Sequence, residues 1–533
     1  MLRKLALVFA VLVVAAFVTT GRVTAAGLVP TNKLEAVEAQ SRSQDDMRRF
    51  ARTPPVPDGD QERDHPALKQ YAVSPRDLAA TADGINRSLE RRVIPFLPTV
   101  DRESYLRQKA EKAKEGAANK PSQSKAAAEA ELALVIPNFD GATDVDGLLP
   151  PDTHGAVGLV DFVEVTNSHI DIYRKDSPAN HTSVSLAAFF GYSTRTLFDP
   201  RAVYDTTWNR WIVTADAFAE SATVQYHFIA VSQSFQAAGP YYIYRLNVTF
   251  NPGDFWDYPQ LGMDQDAIVV TANVFPSSGA PKAAMFAVAK ARLYNGLGFA
   301  VPVFTGLVPT LAPPIVLDQN SKTFLIAAPG GAVLKLYTLQ DAGKSGVSLS
   351  APADIAVGTY SIPPSAPQPG TSAKLDTLDG RFVNASTQVN SNLWQVHTVA
   401  LGPFSAPRFY QINTTTNSVV QSGFFYATGT SFDFNASITA TSDNDAFFTW
   451  STTDPSAGTN AQVRVAACDH SQPIAPGPGL VLFTSPTFYT GGRWGDYSAV
   501  TPDPSNRRRA WAVNETIRAT THWGSRIGAI SLP

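Results

Sequence analysis

The sequence predicts an all-β fold for the C-terminal three quarters of the chain, and three observations predict it. From residue 133 onward, short β-branched and aromatic runs alternate with Gly, Pro, Asn and Asp, the pattern of successive short strands. The 533 residues include 39 Pro and 35 Gly, so turns are frequent. No helical pattern alternates with the predicted strands, which argues against an α/β sheet.

The first residues predict export. Arg3 and Lys4 precede an apolar run at residues 5–18 (LALVFAVLVVAAFV), and small residues follow at 23–26. This order is typical of a secretory signal peptide, and the run is shorter than the roughly 20 residues that cross a bilayer. We expect residues 1–26 to be a signal peptide, with an uncleaved anchor as the alternative. The mature chain would then be extracellular or periplasmic, without a transmembrane segment.

Residues 27–131 are predicted to form a flexible or helical extension. This stretch is rich in Ala, Lys and Glu and contains few large apolar residues. Such a segment buries too little apolar surface to offset the entropy lost on ordering. A propeptide, a spacer from the cell surface and a solvated tail are the alternative roles.

Charge and cysteine content exclude two further features. The net charge of −3 provides no basic footprint for nucleic acid. Cys468 is the single cysteine, so an intramolecular disulfide is excluded and the fold depends on its core, its topology or a metal.

One unit recurs seven times within residues 132–533: a short strand, an Asp or Asn turn, and a strand rich in aromatic or β-branched residues. The units begin near residues 153, 200, 258, 314, 384, 435 and 496. A period of roughly 50 to 70 residues is comparable to a four-stranded propeller blade with loop insertions. The sequence therefore predicts a seven-bladed β-propeller. Six or eight blades and a pair of β-sandwich domains are the alternatives.

The chain ends predict how the ring closes. After the seventh strand pair, only residues 526–532 supply one more strand, so the last blade lacks its outer strand. Residues 132–136 (LALVI) have the right length to supply it. Pairing this N-terminal strand with the C-terminal blade would remove an exposed sheet edge.

Acids stand at the start of four units, in residues 150–158 (PPDTHGAVG), in 257–262 (DYPQLG), in 492–498 (GRWGDYS) and before Pro200. Because the innermost strands of propeller blades line the central channel, these acids should collect near one mouth. The predicted ligand-binding residues are Asp152, Asp199, Asp257 and Asp496, with His154, Arg493, Trp494 and Tyr497 nearby.

Such a ring could bind a cation, hold a sugar by its hydroxyls, or act as a paired acid and base. The alternative is that each aspartate caps a turn or bonds to backbone amides.

The same three motifs resemble those of secreted bacterial proteins of largely unknown function that are predicted to form sialidase-like β-propellers. The resemblance covers roughly residues 135–533 and implies fold and export but no activity. His154 departs from it, since a neutral residue such as Asn is expected in PPDTxGAVG. The Asp-box repeats of true sialidases are missing, so sialidase activity is not expected.

A second candidate site is the loop at residues 140–147 (DGATDVDG). Asp140, Asp144 and Asp146 would be the metal ligands, and calcium is the cofactor that closely spaced carboxylates indicate. Ala142 occupies a ligand position and no Glu closes the loop, so a solvated Asp/Gly turn is the alternative.

The leading functional hypothesis is non-enzymatic binding of an extracellular carbohydrate or surface protein. No HExxH, GxSxG, P-loop or GxGxxG motif occurs in the chain. The alternatives are a glycoside hydrolase or lyase with carboxylates at the channel mouth, and a structural protein of the cell envelope. The hydrolase requires two acids about 5 to 10 Å apart in an open pocket.

Overall fold

The structure is a computed structural model that describes residues 28, 32–40, 54, 72–79, 93–116, 119–121, 134–470 and 473–532. The proposed signal peptide, residues 1–26, lies outside these residues. The described chain is mostly β-strand. Within these ranges, no helix is both long and apolar enough to cross a membrane.

The described parts of the N-terminal extension contain both strands and helices. In chain order they are β1 (Asn32–Gln40), β2 (Ala72–Val73), α1 (Pro75–Ala79) and α2 (Arg102–Lys112). Strand β1 pairs antiparallel with two strands of the β domain, and the side chain of Lys109 in α2 is buried. The described residues are therefore not a solvated tail, because their partners lie far along the chain where composition does not reveal them.

The remaining strands follow β3 (Leu134–Thr143) and belong to the seven repeat units. Unit one contains β4–β7 (His154–Val157, Asp161–Val165, His169–Arg174, His181–Ser185), followed by α3 (Leu186–Phe190), and unit two contains β8–β11 (Leu197–Asp205, Arg210–Ala217, Tyr226–Ser232, Tyr241–Asn247). Unit three contains β12–β14 (Phe255–Met263, Ala267–Phe275, Lys282–Ala289), α4 (Lys290–Leu293) and β15 (Ala300–Leu307).

Units four to seven complete the chain. Unit four contains β16–β20 (Pro314–Val316, Lys322–Ala327, Gly331–Gln340, Ser348–Leu349, Ala353–Tyr360), followed by β21 (Ala366–Pro367) and β22 (Lys374–Leu375). Unit five contains β23–β26 (Ser386–Val389, Asn392–Leu401, Phe404–Asn413, Ser418–Phe424). Unit six contains β27–β30 (Phe432–Ala440, Ala446–Asp454, Thr459–Cys468, Leu480–Thr484), and unit seven contains β31–β33 (Ala499–Pro502, Arg509–Ala519, His522–Ser531).

Strands within a unit pair antiparallel in chain order, and the fourth unit is the exception. There β16 pairs parallel with β12 and with β23 of the neighbouring units, while β17 pairs with β18. In the described chain, β16 and β1 thereby join units two, three and five into one larger sheet.

Successive units pack through shared apolar clusters. Each neighbouring pair, from units one and two to units six and seven, buries one such cluster. A further cluster lies between unit seven and unit one and includes Phe162, Tyr173 and Trp511. The first strand of each unit contacts the first strand of the next, and β31 contacts β4. The first strands therefore surround one central space.

The chain ends meet in unit seven, where β3 pairs antiparallel with β33. Leu134 lies opposite Ser531, and Phe139 lies opposite Ile527. This strand begins two residues into the predicted 132–136 segment and continues to Thr143, while residues 132 and 133 lie outside the described ranges.

A positive φ angle recurs just before or within the first half of several first strands. Asp152, Asp199, Tyr258 and Asn435 have positive φ angles of 50°, 51°, 58° and 48°. Asp and Asn tolerate this left-handed conformation better than other non-glycine residues because their short polar side chains bond locally. In units two, three and six, the pairing of the first and second strands shifts register next to the positive-φ residue. This bulge sets which side chains of the following strand face the central space.

Candidate functional site

Four carboxylates are buried near one another at the start of units one, two, three and seven. They are Asp152, Asp199, Asp257 and Asp496, and each is at most 6% exposed. We call these four residues the acid cluster. The carboxylate of Asp152 accepts a hydrogen bond from the backbone N–H of Asp496 at 2.7 Å, which joins unit one to unit seven.

Asn167 bridges two members of the cluster. Its Nδ2 donates to Asp152 Oδ2 at 2.8 Å, and its Oδ1 accepts the backbone N–H of Asp199 at 2.7 Å. The Tyr497 hydroxyl then donates to Asp199 Oδ2 at 2.6 Å. The Asp152 carboxylate therefore accepts a backbone N–H, as the turn-capping alternative expects. The Asp199 carboxylate instead accepts a hydrogen bond from the side chain of Tyr497.

Burial and mutual repulsion make the acid cluster hard to ionise. Burial, with the Asp199 charge, raises the pKa of Asp152 from 3.8 to about 7. Burial likewise raises the pKa of Asp496 to about 7 although Arg493 opposes it, and burial with the Asp257 charge raises that of Asp199 well above its usual range. At neutral pH the cluster therefore holds protons that free aspartates would have lost.

Asp257 provides a test of this electrostatic cost. Burial and the Asp216 charge raise its pKa from 3.8 to about 7, so the folded state binds a proton that the unfolded state releases between pH 4 and 7. Stability from this group is therefore lost as pH rises. Between pH 5 and pH 8, we expect the unfolding free energy of Asp257→Asn to rise relative to that of the wild type by about 2 to 3 kcal/mol. The difference grows by ~1.4 kcal/mol per pH unit up to the folded pKa near 7 and levels off above it.

Urea unfolding at the two pH values measures this difference. Asp176→Asn is the control, because Asp176 is exposed and ionised throughout that range. A difference for Asp257→Asn that does not change with pH would mean that Asp257 is already ionised in the folded protein at pH 5.

Two arginines partly balance the cluster. Arg493 donates from Nη2 to Asp496 Oδ2 at 2.9 Å. Arg201 lies over the Tyr497 ring, 3.5 Å from its centroid, and donates to the backbone oxygens of Pro259 and Val383.

A third arginine lies beside the first two. Arg381 makes two hydrogen bonds to Asp379, at 2.6 and 2.8 Å, and lies 4.3 Å from the centroid of the Tyr258 ring.

The N-terminal extension covers this end of the central space. The backbone oxygens of Ile94 and Leu97 accept hydrogen bonds from Arg493 and Arg381 at 3.3 and 2.9 Å. Phe96 packs with both arginines, its ring centroid 5.4 and 4.7 Å from their guanidinium carbons. Residues 94–97 thus lie directly on the arginines that flank the acid cluster.

Helix α2 and Thr99, which precedes it, continue the cover by binding Asp376 and Asp379. The Tyr105 hydroxyl donates to Asp376 Oδ1 at 2.7 Å, and both Thr99 N–H and Thr99 Oγ1 donate to Asp379 Oδ2 at 3.1 Å. Burial opposes ionisation of Asp376, but the positive charges of Lys109 and Arg493 lower its pKa to about 2.

The structure separates His154 and Trp494 from the acid cluster. His154 Nδ1 accepts the backbone N–H of Ala202 at 3.2 Å, and burial with the nearby Arg201 charge holds its pKa well below the usual range. The imidazole is therefore neutral. Trp494 packs against Tyr489 and Phe434 in an apolar cluster.

An open cavity of about 310 Å³ occupies the central space beyond the acid cluster. All seven first strands contribute to its wall, and His154 lies in its lining. Most lining side chains are apolar or carry hydroxyls. Representative members are Ala156, Val203, Leu261, Leu317, Thr387, Thr439 and Thr501. We call this cavity the channel.

The three acids of the predicted calcium loop have separate partners. Asp140 forms ion pairs with Arg518, at 2.8 Å, and with Arg526. Asp144 accepts the Gly147 N–H at 2.8 Å.

Asp146, the third acid of that loop, accepts hydrogen bonds from Leu148 N–H and Ser168 Oγ at 3.1 and 2.8 Å. Backbone N–H groups two or three residues ahead thus bind Asp144 and Asp146, as in a local Asp turn, and the calcium site stays a prediction. A different group of possible metal ligands lies elsewhere in the described chain. One ligand atom from each of its members lies within 4.8 Å of the others, and the members are Asp445, Asp469 and His470.

Sequence reasoning did not select Asp376 and Asp379, although both lie beside the predicted cluster. They fall between units four and five, in a Pro- and Gly-rich stretch without a repeat pattern. A short D-x-x-D-x-R motif at residues 376–381 is the signal that could have identified them.

No protein-family model and no curated protein matches this chain. Among similar solved structures, a subtype N10 neuraminidase-like protein of a little yellow-shouldered bat isolate from Guatemala has 8% identity and a TM-score of 0.36, covering 63% of this chain and 99% of its own. An exo-β-1,3-galactanase from Phanerochaete chrysosporium with galactose has 12% identity and a TM-score of 0.30, covering 75% and 100%. A protein of unknown function from Dyadobacter fermentans has 8% identity and a TM-score of 0.36, covering 75% and 100%. Similarities this low assign no activity to the chain.

Proposed function

We propose that this chain is a secreted, non-enzymatic β-propeller that binds an extracellular ligand in its channel. In this proposal the seven units are seven blades, and the β3–β33 pairing closes the ring. The contact of β31 with β4 and the apolar cluster between units seven and one support closure. Export rests on the sequence of residues 1–26.

The open channel is the observation that carries the binding role. Ligand sites are usually concave, mostly apolar and equipped with a few fixed polar groups, with volumes of about 300 to 1,000 Å³. The channel has about 310 Å³, hydroxyls on Thr387, Thr439 and Thr501, and a neutral imidazole on His154. This lining suits a small uncharged ligand with hydroxyl groups, so a carbohydrate is the ligand class to test first.

The acid cluster supports binding over hydrolysis. A glycosidase must present its two carboxyl groups to the substrate on either side of the scissile bond. Here the four acids are buried, and residues 94–97 lie on the flanking arginines. In this conformation a substrate has no access to them.

A channel variant tests the proposal on a glycan array, with retained protein and glycan mass both recorded. Leu317 lines the channel and is partly exposed, so Leu317→Trp should fill part of it and weaken retention roughly tenfold or more, equivalent to ~1.4 kcal/mol. Glycan masses should not change.

Val420→Trp is the matched control, because Val420 is exposed on β26 outside the channel. Shortened glycans would establish an enzyme instead. Retention that Leu317→Trp leaves unchanged would place the ligand outside the channel.

A further inference from the structure

Two buried lysines attach residues 93–121 to the β domain, and we call these residues the cap segment. Lys109 lies in α2 and Lys120 follows it, and both side chains are almost fully buried. Buried lysines are rare unless they are paired, because the ammonium loses its hydration. Each of these two must therefore have a well-fitted environment.

The first lysine pocket provides three oxygen acceptors. Lys109 Nζ donates to Thr377 Oγ1 and Leu378 O, both at 2.8 Å, and to Pro363 O at 3.1 Å. Asp376 lies 3.2 Å from the same nitrogen and supplies the countercharge. Three acceptors match the three N–H groups of an ammonium.

The second lysine pocket combines oxygens with aromatic rings. Lys120 Nζ donates to Ser431 O at 2.6 Å and to Asp433 Oδ2 at 2.9 Å. The centroids of the Tyr426 and Phe404 rings lie 4.4 and 5.3 Å from this nitrogen. Aromatic faces attract a desolvated cation and add to its binding.

The β domain builds both pockets without the lysines. Asp433 also accepts hydrogen bonds from Trp450 Nε1 and Ala427 N–H, each at 3.0 Å. Asp376 also accepts the N–H groups of Thr377 and Leu378, at 2.8 and 3.1 Å. The carboxylates are therefore held in place by their own domain, as in a preorganised binding site.

The cap segment leaves some polar groups of this face without partners. Tyr105 and Lys109 are the buried residues of α2, whose other side chains are charged or half-exposed. Beneath the cap segment, the Tyr258 hydroxyl, Asp496 Oδ1 and Arg493 Nη1 are buried without a hydrogen-bond partner. Burial of such atoms without a partner is destabilising, and an occupant with better-placed polar groups would bind them.

We propose that this face of the β domain is a docking surface for a lysine-bearing polypeptide, and that the cap segment occupies it in the isolated chain. Release of the cap segment would expose the two lysine pockets together with the acid cluster. The carboxylates of Asp376 and Asp433 in the two pockets suit a partner that presents two lysines at matching positions. This site lies at the opposite end of the central space from the channel opening and does not depend on ligand binding there.

Hydrogen exchange of the full chain tests the attachment. In Lys109→Met/Lys120→Met, we expect the backbone amides of residues 102–116 to exchange at least about tenfold faster, because the segment opens without its anchors. Lys112→Met/Lys114→Met is the control, since neither of these lysines occupies a pocket. Unchanged exchange in the first variant would overturn the proposal.

Peptide binding tests the recognition. A fluorescent peptide with the sequence of residues 93–121 should bind the Lys109→Met/Lys120→Met chain saturably. The same peptide with both lysines replaced by methionine should bind at least about tenfold more weakly. Absence of binding, or equal binding of the two peptides, would overturn lysine recognition.

A second experiment is used if the double variant does not fold. A protease site placed between residues 121 and 134 of the wild-type chain is cleaved, and the labelled peptide then competes with the cap segment. Lysine-dependent replacement supports the proposal, and no replacement contradicts it. Glycan retention is measured in parallel on the same proteins. Loss of glycan binding in the channel is thereby distinguished from loss of peptide binding at the lysine pockets.

Discussion

Replacing Arg201 with alanine is expected to lower the free energy of unfolding by about 3 to 5 kcal/mol, the range for breaking a buried charged network. The guanidinium is buried and donates to Pro259 O and Asn384 Oδ1 at 2.9 Å and to Val383 O at 3.2 Å. These partners belong to unit three and to the start of unit five. Alanine would remove the Arg201 donor from Pro259 O and Asn384 Oδ1, while Gln260 Nε2 would still donate to Val383 O. It would also remove a positive charge from beside the acid cluster.

Urea unfolding at pH 7 measures the loss. Arg507→Ala is the control, because the Arg507 side chain is 79% exposed and its removal should change stability by less than about 0.5 kcal/mol. Arg201→Lys keeps the charge but lacks the fork geometry, so it should recover only part of the loss. A loss below about 1 kcal/mol for Arg201→Ala would show that the central hydrogen bonds contribute little to the fold.

Replacing Trp511 with alanine is expected to cost about 3 to 5 kcal/mol, the usual range for deleting a buried tryptophan. Its ring stacks on Phe162 of unit one at 5.8 Å and meets Phe139 of β3 edge-on at 6.5 Å. Its Nε1 donates to Asp503 at 2.9 Å. The substitution therefore creates a cavity where the first unit, the last unit and the N-terminal strand meet.

A double-mutant cycle with Phe139→Ala isolates the contribution of β3. We expect a coupling free energy of about 0.5 to 1.5 kcal/mol between the two rings, as for other aromatic pairs. Trp450→Ala is the control, since Trp450 is equally buried but belongs to the cluster between units five and six. Coupling of Trp511 to Phe139 no larger than that of Trp450 would contradict a stabilising role for β3 at the closure.

The sequence located the repeated strand pairs because their signals are local. In the units that begin near residues 153 and 200, the strand after the turn is β5, Asp161–Val165, and β9, Arg210–Ala217. β-Branched and aromatic runs bounded by turn residues depend only on neighbours along the chain. In unit four the first strand lies where the repeat indicated, but its parallel pairing with neighbouring units rather than with β17 was not evident from the sequence.

The same reasoning predicted only part of the candidate site. The repeat indicated that acids at equivalent positions of several units share one mouth, which selected Asp152 and Asp496. It did not indicate that His154 lines the channel or that Trp494 packs into an apolar cluster. These differences arise because successive side chains of a strand face opposite sides, and a bulge changes which side each one takes.

By itself, the sequence determined the β-rich class, the positions of the repeated strand pairs and the acids that open four units. Only the tertiary structure decided that the extension covers those acids. Tyr105 and Asp376 are 271 residues apart, and Lys120 and Asp433 are 313 residues apart, yet each pair is in direct contact. A charged segment that appears solvated in composition is held by these distant partners, because a buried ammonium is stable only where folding assembles its acceptors.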